Sequence, residues 1–195
     1  MKQLECKKAD DATLIGRALE GDTRAFDALA HRHLPRCYRI ARRLGLSPED
    51  AADAVQETFI AAYKALPSFN FNYQFATWLT RILLNRVSNM RRGLARARRF
   101  FVKSAFDARD LGTLESTSTE EPDKALERSE TMNALQQEID RLPGAQRTVF
   151  ILFELEGFKT REIAAMLNIP EGTVTSRLHH ARRNLRQKLR HLRSG

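Results

Sequence analysis

The sequence is poor in cysteine, proline and long apolar runs. Its two cysteines, Cys6 and Cys37, are too few for a disulfide framework or a four-cysteine zinc site. The opening residues, MKQLECKKADD, lack the apolar stretch of a signal peptide. The longest clean apolar run, Val149–Phe153, is far too short to span a bilayer. A cytoplasmic protein without direct membrane insertion is the expectation. Also missing are a Gly-rich phosphate loop, a metal-ligand cluster and a nucleophile–base pair by motif. No catalytic residue, cofactor, metal or small-molecule substrate is expected, and the chain is read as a non-enzyme.

What is present is charge. Lys and Arg total 33 against 24 Asp and Glu among 195 residues, a formal net charge of +9. A basic surface of this kind suits a polyanion, nucleic acid first. Two stretches carry the excess: 81–103 holds eight Lys/Arg and no acid, and 172–195 holds seven and no acid. One such block is commonly a solvated helix face; two, one closing each half of the chain, suggest two phosphate-contacting surfaces.

Apolar residues recur at helical spacing throughout. Phe26, Ala30, His33, Cys37, Ala41 and Leu44 form one stripe, with Pro35 expected to kink the helix and Gly45 to stop it. Ser47-Pro48-Glu49-Asp50 signals a helix start: a hydroxyl cap, proline at the first position and acids in the first turn. Val55, Phe59, Ala62 and Leu66 then line one face, and Pro67 closes it. Another helix is expected from about Phe75 through Trp78, Leu79, Ile82 and Leu83. Leu135, Ile139 and Leu142 precede Pro143, and Val149, Phe150 and Phe153 precede Gly157. No alternating strand pattern competes. The stretch 104–128 is polar, acidic at its centre and aperiodic, which reads as a linker. The expected fold is all-α, two small helical domains on a flexible linker. The expected boundaries are a tail over 1–11, a bundle over 12–95, a linker over 96–128 and a second domain over 129–195.

The most specific pattern is Thr160–Arg182. Thr160 is placed to cap a short helix carrying Ile163, Ala164 and Leu167. A turn follows at Asn168-Ile169, and Pro170 and Glu171 open a second helix. Val174, Leu178, Ala181 and Leu185 share its inner face. Gly172, Ser176, His179, His180 and Arg183 share the outer one, with Thr173, Thr175, Arg177 and Arg182 alongside. Short polar and basic side chains on an exposed helix suit base edges in a major groove. Adjacent His179 and His180 do not form a helical metal pair. His33 and Cys37 have the spacing of one but sit on the apolar stripe, where core packing is the better reading.

In the N-terminal half, Asp50, Asp53 and Glu57 lie opposite the Val55–Leu66 stripe, with Gln56 beside them. An acidic face on a basic protein suits a protein partner better than DNA. Five of the aromatics fall within 69–78, interleaved with amides. Phe69, Phe75 and Trp78 are read as core anchors. Phe71 and Tyr73, with Asn70, Asn72 and Gln74, are candidates for stacking on unpaired bases. Asn85, Arg86, Asn89 and Arg92 follow at helical steps and would track the same strand.

Leu142-Pro-Gly-Ala-Gln-Arg147, Leu155-Glu-Gly157, Glu162-Ile-Ala164 and Ile169–Arg182 resemble region 4 of sigma-70 family sigma factors, most closely the extracytoplasmic function (ECF) group. Asp53–Phe59 resembles region 2.2, and Thr77-Trp-Leu79 with Arg81-Ile82 and Asn85 resembles regions 2.3 and 2.4. The resemblance implies a factor that directs core RNA polymerase to promoters in a stress or envelope response. It implies docking of region 2.2 on the β′ clamp helices, capture of a flipped base of the −10 element by the aromatic loop, and reading of the −35 element by the second helix of the helix-turn-helix. It also implies an anti-sigma factor as a partner. The loop departs from the family in carrying bulky aromatics where a small, charged loop is common. The competing expectation is a conventional helix-turn-helix regulator that works without being a polymerase subunit.

The linker bears on this reading. Residues 104–128 span at most about 80–90 Å extended and about 25–30 Å as a relaxed coil. Two elements two helical turns apart lie about 70 Å apart. The chain alone is therefore expected to bind a bipartite site poorly.

Overall fold

The computed structural model describes residues 9–104 and 135–192, with side-chain surroundings for 9–93 and 135–188. Residues 105–128 of the expected linker and 129–134 of the expected second domain lie outside the described residues, as does Cys6. Every regular element among the described residues is helical.

Four helices build the N-terminal half. α1 (Asp11–Leu19) begins where the Asp10 carboxylate accepts the Thr13 N–H at 2.8 Å. The expected tail therefore ends before Asp11, which is already helical. α2 (Thr23–Arg43) is capped by Asp22, whose carboxylate accepts the Arg24 N–H and also pairs with Arg17. It runs on past Pro35 and ends at Leu44, after which Gly45 turns the chain at φ +88°. α3 (Pro48–Ala65) starts as its sequence signals: Ser47 Oγ accepts the Asp50 N–H at 3.0 Å, and Pro48 needs no partner at the first position. A 3₁₀ turn, Leu66–Ser68, follows with Pro67 inside it. α4 (Phe75–Ser104) extends beyond residue 95, so the first part of the expected linker continues the helix. The acid-free block 81–103 thus forms one helical rod.

The core of this half is aliphatic. Leu14, Ile15, Leu29, Ile40, Leu79 and Leu83 are fully buried. Each such side chain contributes about 1.5–3 kcal/mol of transfer free energy. Phe69 and Phe75 are buried and meet edge to face with Trp78 close by, as the anchor reading expects. His33 and Cys37 have ordinary packing roles. His33 Nε2 lies 2.8 Å from Asp11, its ring edges Phe75, and Cys37 is buried. That burial pushes the Cys37 thiol up to about 12.

The C-terminal half begins with helical residues 135–140. α5 (Gly144–Phe150) passes directly into a π-turn, Ile151–Leu155, in which Glu156 N–H bonds back to Ile151. A π-turn takes one residue more than an α-turn and so redirects the chain beyond it. Gly157, at φ +72°, then releases the chain into α6 (Thr160–Leu167). Asn168 in the left-handed region ends α6, and α7 (Glu171–Leu192) crosses it. Ile139, Val149, Ile151, Leu152, Ile163 and Val174 fill this core.

The two halves touch. Arg36, Arg39 and Arg43 of α2 surround Glu156 at the end of the π-turn. The Thr77 hydroxyl of α4 donates to Glu162 of α6 at 3.2 Å. The expected two small helical domains are both present, and periodicity alone gave no indication of the contact between them.

Candidate nucleic-acid and polymerase interface

The helix-turn-helix is built much as its sequence suggests, with two corrections. Lys159, not Thr160, is the N-cap of α6, because the Glu162 carboxylate accepts the Lys159 backbone N–H at 2.8 Å. Thr160 is one residue inside, and its hydroxyl instead hydrogen-bonds the Glu171 carboxylate, tying the starts of α6 and α7 together. Pro170 lies just before α7 rather than within it, and its carbonyl accepts the Thr173 and Val174 N–H groups. Val174, Leu178, Ala181 and Leu185 are buried. Gly172, Thr175, Ser176, His179, His180 and Arg183 are exposed, and Thr173 and Arg177 are half-buried on the flanks. Arg182 is anchored to Glu154 at 2.6 Å and lies over Phe153, which ties α7 to the π-turn. The exposed face of α7 is thus polar and basic, and its inner face is locked.

The aromatic loop divides as expected. Phe69 at one end and Phe75 at the other are buried, while Phe71 is 56% and Tyr73 54% exposed. Asn70, Asn72 and Gln74 are exposed as well. The loop is held from within: Asn70 Oδ1 accepts the Asn72 N–H at 2.9 Å, and the Tyr73 N–H reaches the Asn70 carbonyl. Phe71 stands edge-on to Phe69 at 5.2 Å, so one exposed ring rests on a buried one. On α4, Asn85 is exposed and Arg86 half-buried. The Asn89 amide oxygen accepts from Arg92 at 2.6 Å. These groups continue from the loop along α4.

The outer face of α3 shows exposed Asp53, Gln56 and Glu57, with Asp50 half-buried. Glu57 lies 3.5 Å from Arg86, so the acidic face of α3 and the basic face of α4 meet along one edge. Sequence reasoning missed the apolar component of this face. Leu34, Tyr38 and Ile60 are exposed and line a groove between α2 and α3 with Val55, Gln56 and Phe59. The available signal was Ile60, an apolar residue off the buried stripe of its helix. Sequence reasoning also missed the role of Glu156, whose partners lie more than 110 residues earlier in the chain.

Two sequence-family models match this chain: Sigma-70 region 2 over residues 29–98 and Sigma-70 region 4 over residues 132–185. The RNA polymerase sigma-H factor of Pseudomonas aeruginosa is 35% identical, aligned over 93% of this chain and 95% of its own. The ECF RNA polymerase sigma factor SigW of Bacillus subtilis is 34% identical over 91% of this chain and 96% of its own. The chain belongs to the ECF group of sigma-70 factors. Among solved structures, this sigma factor is similar to CnrH in complex with the cytosolic domain of CnrY, at 28% identity and a TM-score of 0.67 over 92% of this chain and 96% of that one. The sigma factor RpoE of Bartonella quintana, solved with the anti-sigma factor NepR, shares the fold at 23% identity and a TM-score of 0.64, over 85% of this chain and 96% of that one. The sigma factor has no helix among its described residues long and apolar enough to cross a membrane.

Proposed function

We propose that this sigma factor reads two promoter elements with the two faces described above and opens one of them. Residues 12–95 act as the unit for the −10 element, and residues 129–195 as the unit for the −35 element. The observation that carries the reading is the pairing of two different nucleic-acid chemistries on one chain. Phe71 and Tyr73 stand exposed on a loop pinned by buried Phe69 and Phe75, beside the basic helix α4. Exposed aromatic rings stack on unpaired bases at about 1–3 kcal/mol per base. The outer face of α7 suits duplex, because a regular helix fits the major groove.

Asn70, Phe71, Asn72, Tyr73 and Gln74 would hold the melted strand, and Asn85, Arg86, Asn89 and Arg92 would follow it. Gly172, Thr173, Thr175, Ser176, Arg177, His179, His180 and Arg183 would contact the −35 duplex. Asp50, Asp53, Gln56 and Glu57 would dock on the β′ clamp helices, with the Leu34–Tyr38–Ile60 groove adding apolar contact beside them. The protein carries no catalytic residue of its own; the polymerase supplies the chemistry. It would act in the cytoplasm in a stress or envelope response, held in check by an anti-sigma factor.

Run-off transcription tests this. Sigma-free core polymerase with this protein on fragmented genomic DNA should give new 5′ ends sharing a bipartite upstream motif. Protection of DNA by the protein alone, with no new starts, would instead favour a conventional helix-turn-helix regulator.

A further inference from the structure

We infer, resting on the strand-capture reading above, that α1 is a brace for the aromatic loop and that Asp11 and His33 are positioning residues for the exposed rings Phe71 and Tyr73. No residue of α1 belongs to the faces proposed to touch DNA or polymerase. Its Leu14 and Ile15 are core residues. Its first residue, Asp11, is polar and faces α2.

His33 Nε2 of α2 lies 2.8 Å from Asp11 Oδ2, and Arg32 Nη1 lies 2.6 Å from Asp11 Oδ1. The hydrogen bond with His33 does most to hold the Asp11 carboxyl below its usual range; burial opposes it and Arg32 adds to it. An ionised carboxylate only accepts hydrogen bonds, so His33 carries a proton on Nε2 and its ring is held in one orientation. That ring meets Phe75 edge to face, with centroids 5.2 Å apart. Phe75 meets Phe69 at 6.0 Å, and Phe69 meets Phe71 at 5.2 Å. Trp78 packs on both Phe69 and Phe75. A continuous series of ring contacts thus runs from a carboxylate on α1 to a ring in solvent. Phe75 is also the first residue of α4, so its seat fixes where the loop ends and the helix begins.

The other end of the loop meets α1 as well. α1 packs against the 3₁₀ turn Leu66–Ser68, where Leu66 is buried and its carbonyl accepts the Phe69 N–H at 3.0 Å. The loop's own bonds, Asn72 N–H to Asn70 Oδ1 and Tyr73 N–H to the Asn70 carbonyl, stay within residues 70–73. They set the shape of the loop, whereas α1 sets its placement against α4. Exposed rings bind best when the residues behind them are locked, because ordering them on binding costs affinity.

The test uses the full chain with core polymerase on a promoter found by run-off transcription, titrating the sigma factor and reading open complexes by permanganate. Asp11→Ala should fold, since Asp10 rather than Asp11 caps α1 and alanine suits a helix; circular dichroism checks this. It should leave the concentration for half-saturation unchanged and lower the plateau of open complexes roughly fivefold, the lower end of what one stacked base contributes. A loss of stability alone would move the half-saturation point and spare the plateau. Asp11→Asn keeps an acceptor for His33 Nε2 and should recover most of the plateau. Without DNA, acrylamide quenching of Trp78, the chain's one tryptophan, should rise in Asp11→Ala and not in Asp11→Asn. Should Asp11→Ala lose helicity, His33→Gln decides, because it keeps a donor toward Asp11 and withdraws the ring from Phe75. An unchanged plateau in the folded variant overturns the brace, as does an Asp11→Asn variant no better than Asp11→Ala. A wild type that opens no promoter with core polymerase overturns the strand-capture reading instead. Trp78 quenching then still decides whether α1 holds the anchor cluster, and unchanged quenching in Asp11→Ala refutes that too.

Discussion

Glu57 and Glu156 make a useful pair, one in each half of the molecule. Both are surface-type residues near helix ends or faces, and both meet arginine. Glu57 keeps 56% of its side chain in solvent and touches Arg86 at 3.5 Å, whereas Glu156 is 1% exposed against three arginines. The first pair is screened by water and is worth little; the second has no water to fall back on. A related contrast separates the two faces proposed to read DNA. The loop at 70–74 displays aromatic rings that no neighbour needs, held by two buried rings at its ends. The face of α7 displays polar groups on a regular helix whose opposite side is core. In both, the group proposed to read and the group that anchors are distinct and adjacent in sequence, so substitutions should tell them apart.

The largest expected effect comes from the anchor of the loop. Phe75→Ala should cost about 3–5 kcal/mol of stability, read by denaturant unfolding, because Phe75 is 2% exposed among Phe69, Trp78 and His33. Its neighbours Phe71→Ala and Tyr73→Ala should leave stability within about 0.5 kcal/mol. Each should instead weaken promoter opening by about 1–3 kcal/mol, read by permanganate reactivity of thymines in the holoenzyme. Equal stability losses for Phe71 and Phe75 would erase the distinction between anchor and reader.

In the second half, Leu178→Ala should cost about 2–5 kcal/mol of stability, since Leu178 is 4% exposed beneath α7. Ser176→Ala, one helical half-turn away and exposed, should spare folding. It should change selectivity at one base pair by about 1–3 kcal/mol, measured by transcription from a promoter library. Ser47→Ala removes the acceptor for the Asp50 N–H and should cost about 1 kcal/mol, read as a shift in the midpoint of thermal unfolding.

The smallest effect is expected from Cys37. An unfolded thiol ionises near 9.0, while burial holds the folded one at about 12. Between those values the unfolded chain loses a proton that the folded chain keeps. The contribution is therefore complete below pH 9.0 and is lost as pH rises toward 12. Denaturation curves across that window should show a downward slope that Cys37→Ala flattens.

Much of this was legible before any tertiary structure. The start of α3 at Ser47-Pro48, the stop at Gly45, the buried row Val174–Leu178–Ala181–Leu185 and the split of the aromatic loop all come from local rules. The misses are of two kinds, local competition at helix ends and packing between helices. Lys159 displaced Thr160 as the cap of α6 because Glu162 already satisfied the backbone there, and Thr160 found a partner in Glu171. The helix α4 ran on past the expected boundary because nothing in 96–104 breaks a helix. The Leu34–Tyr38–Ile60 groove needed two helices side by side to be seen.

The sequence by itself determined most of the helices, the cap at Ser47, the inner faces of α3 and α7 and the two positive blocks, because those depend on neighbours within about four residues. Tertiary structure alone decided that Glu156 is buried and that the two halves meet. A carboxylate chooses its partners by distance in space, and Arg36, Arg39 and Arg43 come within reach of it only once α2 and the π-turn lie side by side.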